Sequence, residues 1–188
     1  MGSRNRQLDL EENLSYGIVP IGMAMRPLVY YPSPTLRRLT LPVASLDAAV
    51  RALAADLADT MRSANGIGLA APQVGRLERV IVVGTSDSVL TFVNPEITKV
   101  SRQREDGEEG CLSIPGVFGV VSRASQIEVR AMDLHGNPVQ CTAERLLARV
   151  IQHEIDHLNG ILFIDRMYRL TSGVEQLRKL WAQAAAKA

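Results

Sequence analysis

The chain has 188 residues, long enough to close one hydrophobic core. Hydrophobic residues make up 46% and charged residues 22%, which argues against disorder, and no apolar run approaches the ~20 residues a membrane-spanning helix needs. The 21 basic and 20 acidic residues nearly cancel, without a long basic stripe, so no specific nucleic-acid ligand and no membrane partner is expected.

Residues 1 to 25 differ in character from the rest of the chain. Arg4 and Arg6 precede Asp9, Glu11 and Glu12, and an apolar patch runs from Ile18 to Met25. The acids fit a transit peptide poorly and the short apolar patch fits a signal peptide poorly. The segment is expected to be a peripheral arm on a single catalytic domain over residues 26–188. Tyr30-Tyr31-Pro32-Ser33-Pro34 then predicts an extended lead-in.

Leu46, Val50, Leu53, Leu57 and Met61 recur at helical spacing, with Ser45 as the expected cap and Asn65-Gly66 as the stop. The glycine-rich run Gly66 to Gly75 reads as a loop whose backbone can approach a ligand closely. Val80 to Val83, Val89 to Val93 and the alternation from Gln126 to Ala131 read as strands, and His135-Gly136-Asn137-Pro138 reads as a turn. The two cysteines, Cys111 and Cys141, are expected to be free thiols in a reducing compartment.

A second helix is predicted from Ala143 to Asn159, capped by Thr142 and stopped by Asn159-Gly160. Leu147, Ile151, Ile155 and Leu158 make one stripe, and Leu146, Val150, His153 and His157 make the next. A helix apolar over so much of its circumference belongs in the interior. A last helix carries Val174, Leu177, Leu180 and Trp181 on one face. The expected fold class is α+β: a buried central helix packed against antiparallel or mixed sheets, with an N-terminal and a C-terminal helix.

His153-Glu154-Ile155-Asp156-His157 sets two imidazoles at i and i+4, ~6 Å apart on one helix face, where both can reach one ion. Two of the three histidines in the chain fall in this run. A solvated polar face is the alternative, and it fits so apolar a helix poorly. A catalytic site of this kind takes about three protein ligands and an open position. The extended form of the motif would carry a third histidine where this chain has Phe163. Asp165 and Glu175 are weak downstream candidates. Upstream, Cys111 in Glu109-Gly110-Cys111-Leu112-Ser113 suits a ligand, against the reading of a small buried hydrophobe. Glu154 follows His153 directly and suits general base, then general acid work. Gln73 is the side-chain donor available to an oxyanion, with bracing of its own loop as the alternative.

Three segments, Gly66-Ile67-Gly68-Leu69-Ala70-Ala71-Pro72-Gln73, Glu109-Gly110-Cys111-Leu112-Ser113 and Gln152-His153-Glu154-Ile155-Asp156-His157-Leu158, resemble the three motifs of the peptide deformylases in the same order. The resemblance runs from about Met25 to Phe163 and includes Asn94-Pro95. It implies hydrolysis of the N-formyl group from the initiator methionine of nascent peptides, with release of formate, at one divalent ion held by Cys111, His153 and His157. Fe2+ is the implied ion, with Zn2+, Ni2+ or Co2+ as substitutes. The resemblance further implies that the backbone N–H of Leu112 is a second oxyanion donor, and that the Gly68 backbone contacts substrate. Ile67, Leu112 and Val150 would face the methionine side chain, and Glu109 would pair with Arg123 to hold the Cys111 segment.

A monomer in the bacterial cytoplasm is implied, with an organelle matrix as the alternative. Arg178, Lys179 and Lys187 would let the last helix approach the ribosome, unless it is simply a solvated helix. Ser122 stands where relatives often have proline, and Phe118 where some carry an arginine, which leaves the peptide-side contacts open. Arg149 stands unassigned between substrate and solvent. Two rivals remain: a zinc peptidase using the same histidines, and a metal-stabilised binding module without catalysis.

Overall fold

The computed structural model describes residues 25–186. The expected amino-terminal arm, apart from Met25, lies outside the described residues, as does Lys187.

Helix α1 spans Ala48–Ser63 and buries Val50, Leu53, Leu57 and Met61, the stripe read from the spacing. Its cap is Asp47, whose carboxylate accepts from the Val50 N–H, and not Ser45. A cap sits directly before the first helical residue and reaches the amide two or three positions on, and with the helix starting at Ala48 that residue is Asp47. The run after α1 is more ordered than a loop. It holds strand β1, Gly68–Ala70, and a 3-10 turn over Ala71–Val74.

Strand β2, Val80–Gly84, pairs antiparallel with β1 and with β3, Val89–Val100. Strands β6, Gln126–Met132, and β7, Pro138–Glu144, complete a five-stranded sheet in the order β1-β2-β3-β6-β7. Ile81 and Val83 join the core on one face of this sheet, and Val80 and Val82 the core under α1 on the other. Because side chains alternate along a strand and both faces are covered, β2 reads as an unbroken apolar run. Where β3 bends, Asn94 takes φ 52 and exchanges two hydrogen bonds with the Val43 backbone. An asparagine tolerates that left-handed conformation better than most residues.

Helix α2, Arg145–Leu158, lies on the first of these faces and buries Val150, Ile151, Ile155 and Leu158 against the sheet. It starts later than predicted and without the Thr142 cap. Thr142 is instead a β7 residue opposite Glu128, and the ladder continues to Glu144, so the strand runs straight into the helix. Leu146, assigned to the interior stripe by spacing, is 62% exposed. Its neighbours Leu147 and Ala148 in the same turn do pack on the core, so only the Leu146 side faces outward.

Strands β4, Arg104–Cys111, β5, Ile114–Ala124, and β8, Arg169–Ser172, form a second antiparallel sheet in the order β4-β5-β8. Ile114, Val117 and Val121 on β5 pack with Phe163 of the short helix α3, Phe163–Arg166, and with Leu177 and Leu180 of α4, Val174–Ala185. Val174 and Trp181 are about half exposed, so the packed face of α4 is narrower than its spacing suggested. The architecture is α+β, with the motif helix buried between the layers. No helix among the described residues is long and apolar enough to cross a membrane.

Candidate active site

Strand β4 carries Cys111 at its last position. The β4–β5 register shifts between Gly110 and Cys111, and Cys111 then faces Ile114 across a two-residue connection made by Leu112 and Ser113. This tight corner turns the thiol toward α2. His153 and His157 approach from α2, one turn apart, with ring centroids 5.0 Å from each other. One ligand atom from each of Cys111, His153 and His157 lies within 4.8 Å of the other two, and Cys111 Sγ is 3.3 Å from His157 Nε2.

The imidazole of His153 is oriented from behind. Its Nδ1 meets Glu109 Oε2 at 2.9 Å, which leaves Nε2 for the cluster. Burial would raise the pKa of Glu109, but hydrogen bonds from His153 and Arg123 outweigh it and bring it down to about 2. Glu109 is therefore a carboxylate that accepts from His153 Nδ1–H, and although burial would lower the His153 pKa, hydrogen bonds to Cys111 and Glu109 hold it well above the ordinary histidine value in the ion-free chain. Burial pushes His157 well below the ordinary histidine value, which keeps that ring neutral. Its Nδ1 is buried without a hydrogen-bond partner among the described residues. A soft thiol beside two imidazoles, one aimed by a carboxylate, suits a divalent transition ion.

Glu109 and Arg123 do form a bidentate pair, at 2.9 Å for both bonds, and both residues are buried. The pair belongs to a larger network than the sequence revealed. Arg123 also donates to Asp156 at 2.5 Å, and Arg166 donates to both oxygens of Asp156. Arg149 is half-buried at the wall of the cleft, and its guanidinium is taken up by protein acceptors. Its guanidinium donates to Glu109 Oε1 at 2.8 Å and to the carbonyls of Glu105 and Val121. A signal for this existed: Arg149 and His153 are four residues apart on α2 and reach the same carboxylate. A second was Asp156, which on a buried helix requires a cationic partner.

Glu154 is 4% exposed, and its Oε2 has no hydrogen-bond partner among the described residues. Burial raises its pKa to about 7. Gly68 lets the carboxylate come this close to β1, since a Cβ there would lie 2.4 Å from Glu154 Oε1. Gln73 does two things at once. Its Oε1 accepts from the Ala70 N–H at 2.8 Å, which fixes the amide so that Nε2 points at Cys111 Sγ, 3.5 Å away, and Ser113 Oγ, 3.3 Å away.

These groups surround a cleft of about 640 Å³. Ile67, Gly68, Gln73, Glu109, Cys111, Leu112, Val150, His153 and Glu154 line it, while His157 and Arg123 stand behind its wall. Asp165 is drawn off by Arg37 and the Leu162 N–H, and Glu175 by Arg178. Phe163 stacks on His153, with centroids 6.2 Å apart, so the position that holds a histidine in the extended motif here packs against the His153 ring. Ser122 accepts from Arg104 through its hydroxyl and carbonyl.

A Cys-His-His cluster beside a buried carboxylate, at the floor of a cleft in an α+β frame, defines the class of metal-dependent hydrolases. The family model for polypeptide deformylase matches residues 25–172. The peptide deformylase of Thermomicrobium roseum is 49% identical over 154 residues, covering 77% of this chain and 87% of the relative. That of Brucella suis is 42% identical over 172 residues, covering 88% and 98%. Among solved structures, the peptide deformylase of Thermotoga maritima superposes with a TM-score of 0.75 at 38% identity, covering 77% of this chain and 98% of that one. The enzyme of Synechococcus elongatus, in complex with actinonin, superposes with a TM-score of 0.77 at 37% identity, covering 89% and 92%. The chain belongs to the polypeptide deformylase family, hydrolases acting on formylmethionyl peptides.

Proposed function

We propose that residues 26–188 form one catalytic domain in which Cys111, His153 and His157 hold a single divalent ion, Fe2+ in the cell, with Zn2+, Ni2+ or Co2+ able to replace it. The ion supplies a Lewis acid and the means to acidify water near neutral pH. Glu154 takes the proton of the attacking water on its free Oε2 and returns it to the nitrogen as formate leaves. Burial raises its pKa in the ion-free chain, and a neighbouring cation would draw it back down, toward the carboxylate that accepts a proton.

Gln73 Nε2 and the Leu112 backbone N–H donate to the oxyanion of the tetrahedral intermediate. An amide already fixed through Oε1 needs no reorganisation to do so. The Gly68 backbone holds the formyl-methionine in register, and Ile67, Leu112 and Val150 receive its side chain. Glu109, held by Arg123, keeps His153 and the Cys111 strand in place.

The observation that carries this reading is the unpartnered Glu154 carboxylate beside the Cys-His-His cluster. The decisive test is formate release from formyl-Met-Ala-Ser under anaerobic conditions with Fe2+ or Ni2+ supplied. Release is expected, and none from folded, metal-loaded protein would overturn the reading. Both rivals would leave the formyl group intact. A monomer in the bacterial cytoplasm, with ribosome contact through Arg178 and Lys179 on α4, belongs to the same reading. Ribosome co-sedimentation that survives deletion of α4 would remove the contact.

A further inference from the structure

A second cavity, of about 400 Å³, lies apart from the catalytic cleft. Asp156 and Asn159 line it from the end of α2, whereas the cleft takes Val150, His153 and Glu154 from the same helix. Four arginines converge on it from separate elements: Arg79 just before β2, Arg104 at the start of β4, Arg123 on β5 and Arg166 at the end of α3. The carboxylates on its wall are Asp156 and Glu96.

Both carboxylates are already engaged. Asp156 accepts from Arg123 and, through both oxygens, from Arg166, while Glu96 pairs with Arg130 at the surface. Among the described residues Arg79 has no carboxylate partner: its guanidinium donates to Thr40, to Asn159 and to the Pro95 carbonyl, all neutral acceptors. It is half-buried, and burial pulls its pKa below the ordinary arginine value against the opposing charge of Glu96. Arg104 is exposed and donates to the Ser122 hydroxyl and carbonyl, and Asp106, two residues along β4, is held by Tyr168. A half-buried cation met only by neutral groups lacks the anion that its desolvation calls for.

We propose that this cavity binds a phosphate group, free or carried by a small molecule, against Arg79, Arg104 and Arg166. Arg79 Nε, Arg104 Nη1 and Arg166 Nη1 have no hydrogen-bond partner among the described residues, so each of the three keeps a donor for the ligand. Guanidinium groups match phosphate oxygens in shape as well as charge, and such charge-assisted bonds are the strong ones. The volume suits a small molecule.

The test is calorimetric titration of inorganic phosphate and, separately, of adenosine monophosphate into the nickel-loaded full chain, with ionic strength held constant by chloride. One ligand per chain is expected to bind with a Kd of about 1 mM or tighter. At ten times that Kd it should raise Tm by roughly 3 °C, where chloride at equal ionic strength does not. Tighter binding of the nucleotide assigns the site to a carried phosphate, and tighter binding of phosphate assigns it to the free anion. Arg104→Glu, an exposed change outside the catalytic cleft, should keep the Tm seen without phosphate and weaken binding by about tenfold or more. Arg79→Gln should weaken it similarly, and if that variant does not fold, Arg104→Glu decides alone. An effect no larger than that of chloride would overturn the proposal. So would an affinity that the folded variants leave unchanged, since the anion would then sit elsewhere.

Discussion

The Glu109 carboxylate meets His153 Nδ1 at 2.9 Å while the same carboxylate takes two hydrogen bonds from Arg123 and one from Arg149. One anion thus orients an imidazole of the Cys-His-His cluster and ties β4, β5 and α2 together. Glu109→Gln keeps the shape and removes the charge. It is expected to weaken binding of the ion by about ten- to hundredfold, read by competition against a chelator. Unchanged affinity would mean that packing alone orients His153.

Arg123 lies in the same network, 4% exposed, between Glu109 and Asp156. Arg123→Ala leaves two buried carboxylates short of their shared cation and is expected to cost about 3 to 5 kcal/mol in urea unfolding. Arg123→Lys restores one charge but not the two-pronged geometry, and should recover only part of the loss. A loss under about 1 kcal/mol for the alanine variant would show that Arg149 and Arg166 compensate.

Glu154→Gln should keep the ion bound and lower kcat by about 100-fold or more, since the amide accepts no proton. Retained activity would remove Glu154 from the proton path.

The same residue sets a pH dependence in chelator-treated protein. Burial lifts the folded-state pKa from the ordinary 4.5 to about 7. A raised pKa contributes stability that is fully present below about 4.5 and is lost as pH rises through about 7, a span worth roughly 3 kcal/mol. The stability of wild-type protein minus that of Glu154→Gln should fall across that window. Adding the ion should flatten the difference, because a nearby cation favours the carboxylate. A difference that stays level in chelated protein would contradict the buried, unpartnered state of Glu154.

The sequence revealed most where one principle dominated. The stripe from Val50 to Met61 indicated α1, and the stripe Leu147, Ile151, Ile155 and Leu158 indicated the buried face of α2, because helical spacing is local. Strand β4 escaped notice, since Arg104-Glu105-Asp106-Gly107-Glu108-Glu109 has no apolar alternation. It is an edge strand whose charges find partners elsewhere: Asp106 with Tyr168, Glu108 with Thr171, and Glu109 with Arg123 and Arg149. The cluster itself was legible through its motifs. For Arg149 and Asp156 the sequence held only the local signals of helix position and burial, and their partners Glu109, Arg123 and Arg166 were not legible, because ion pairs between residues 10 to 40 positions apart leave no periodic trace.

One ion at Cys111, His153 and His157 is proposed to make this cleft a deformylase. Anaerobic titration of Fe2+ or Ni2+ into chelated protein, with formate release from a formyl-Met peptide read at each step, tests it most directly. Activity is expected to rise in proportion to added ion, to stop rising at one ion per chain, and to be abolished with its stoichiometry in Cys111→Ser. Formate release by ion-free protein, or a fully loaded Cys111→Ser enzyme as active as the wild type, would contradict it.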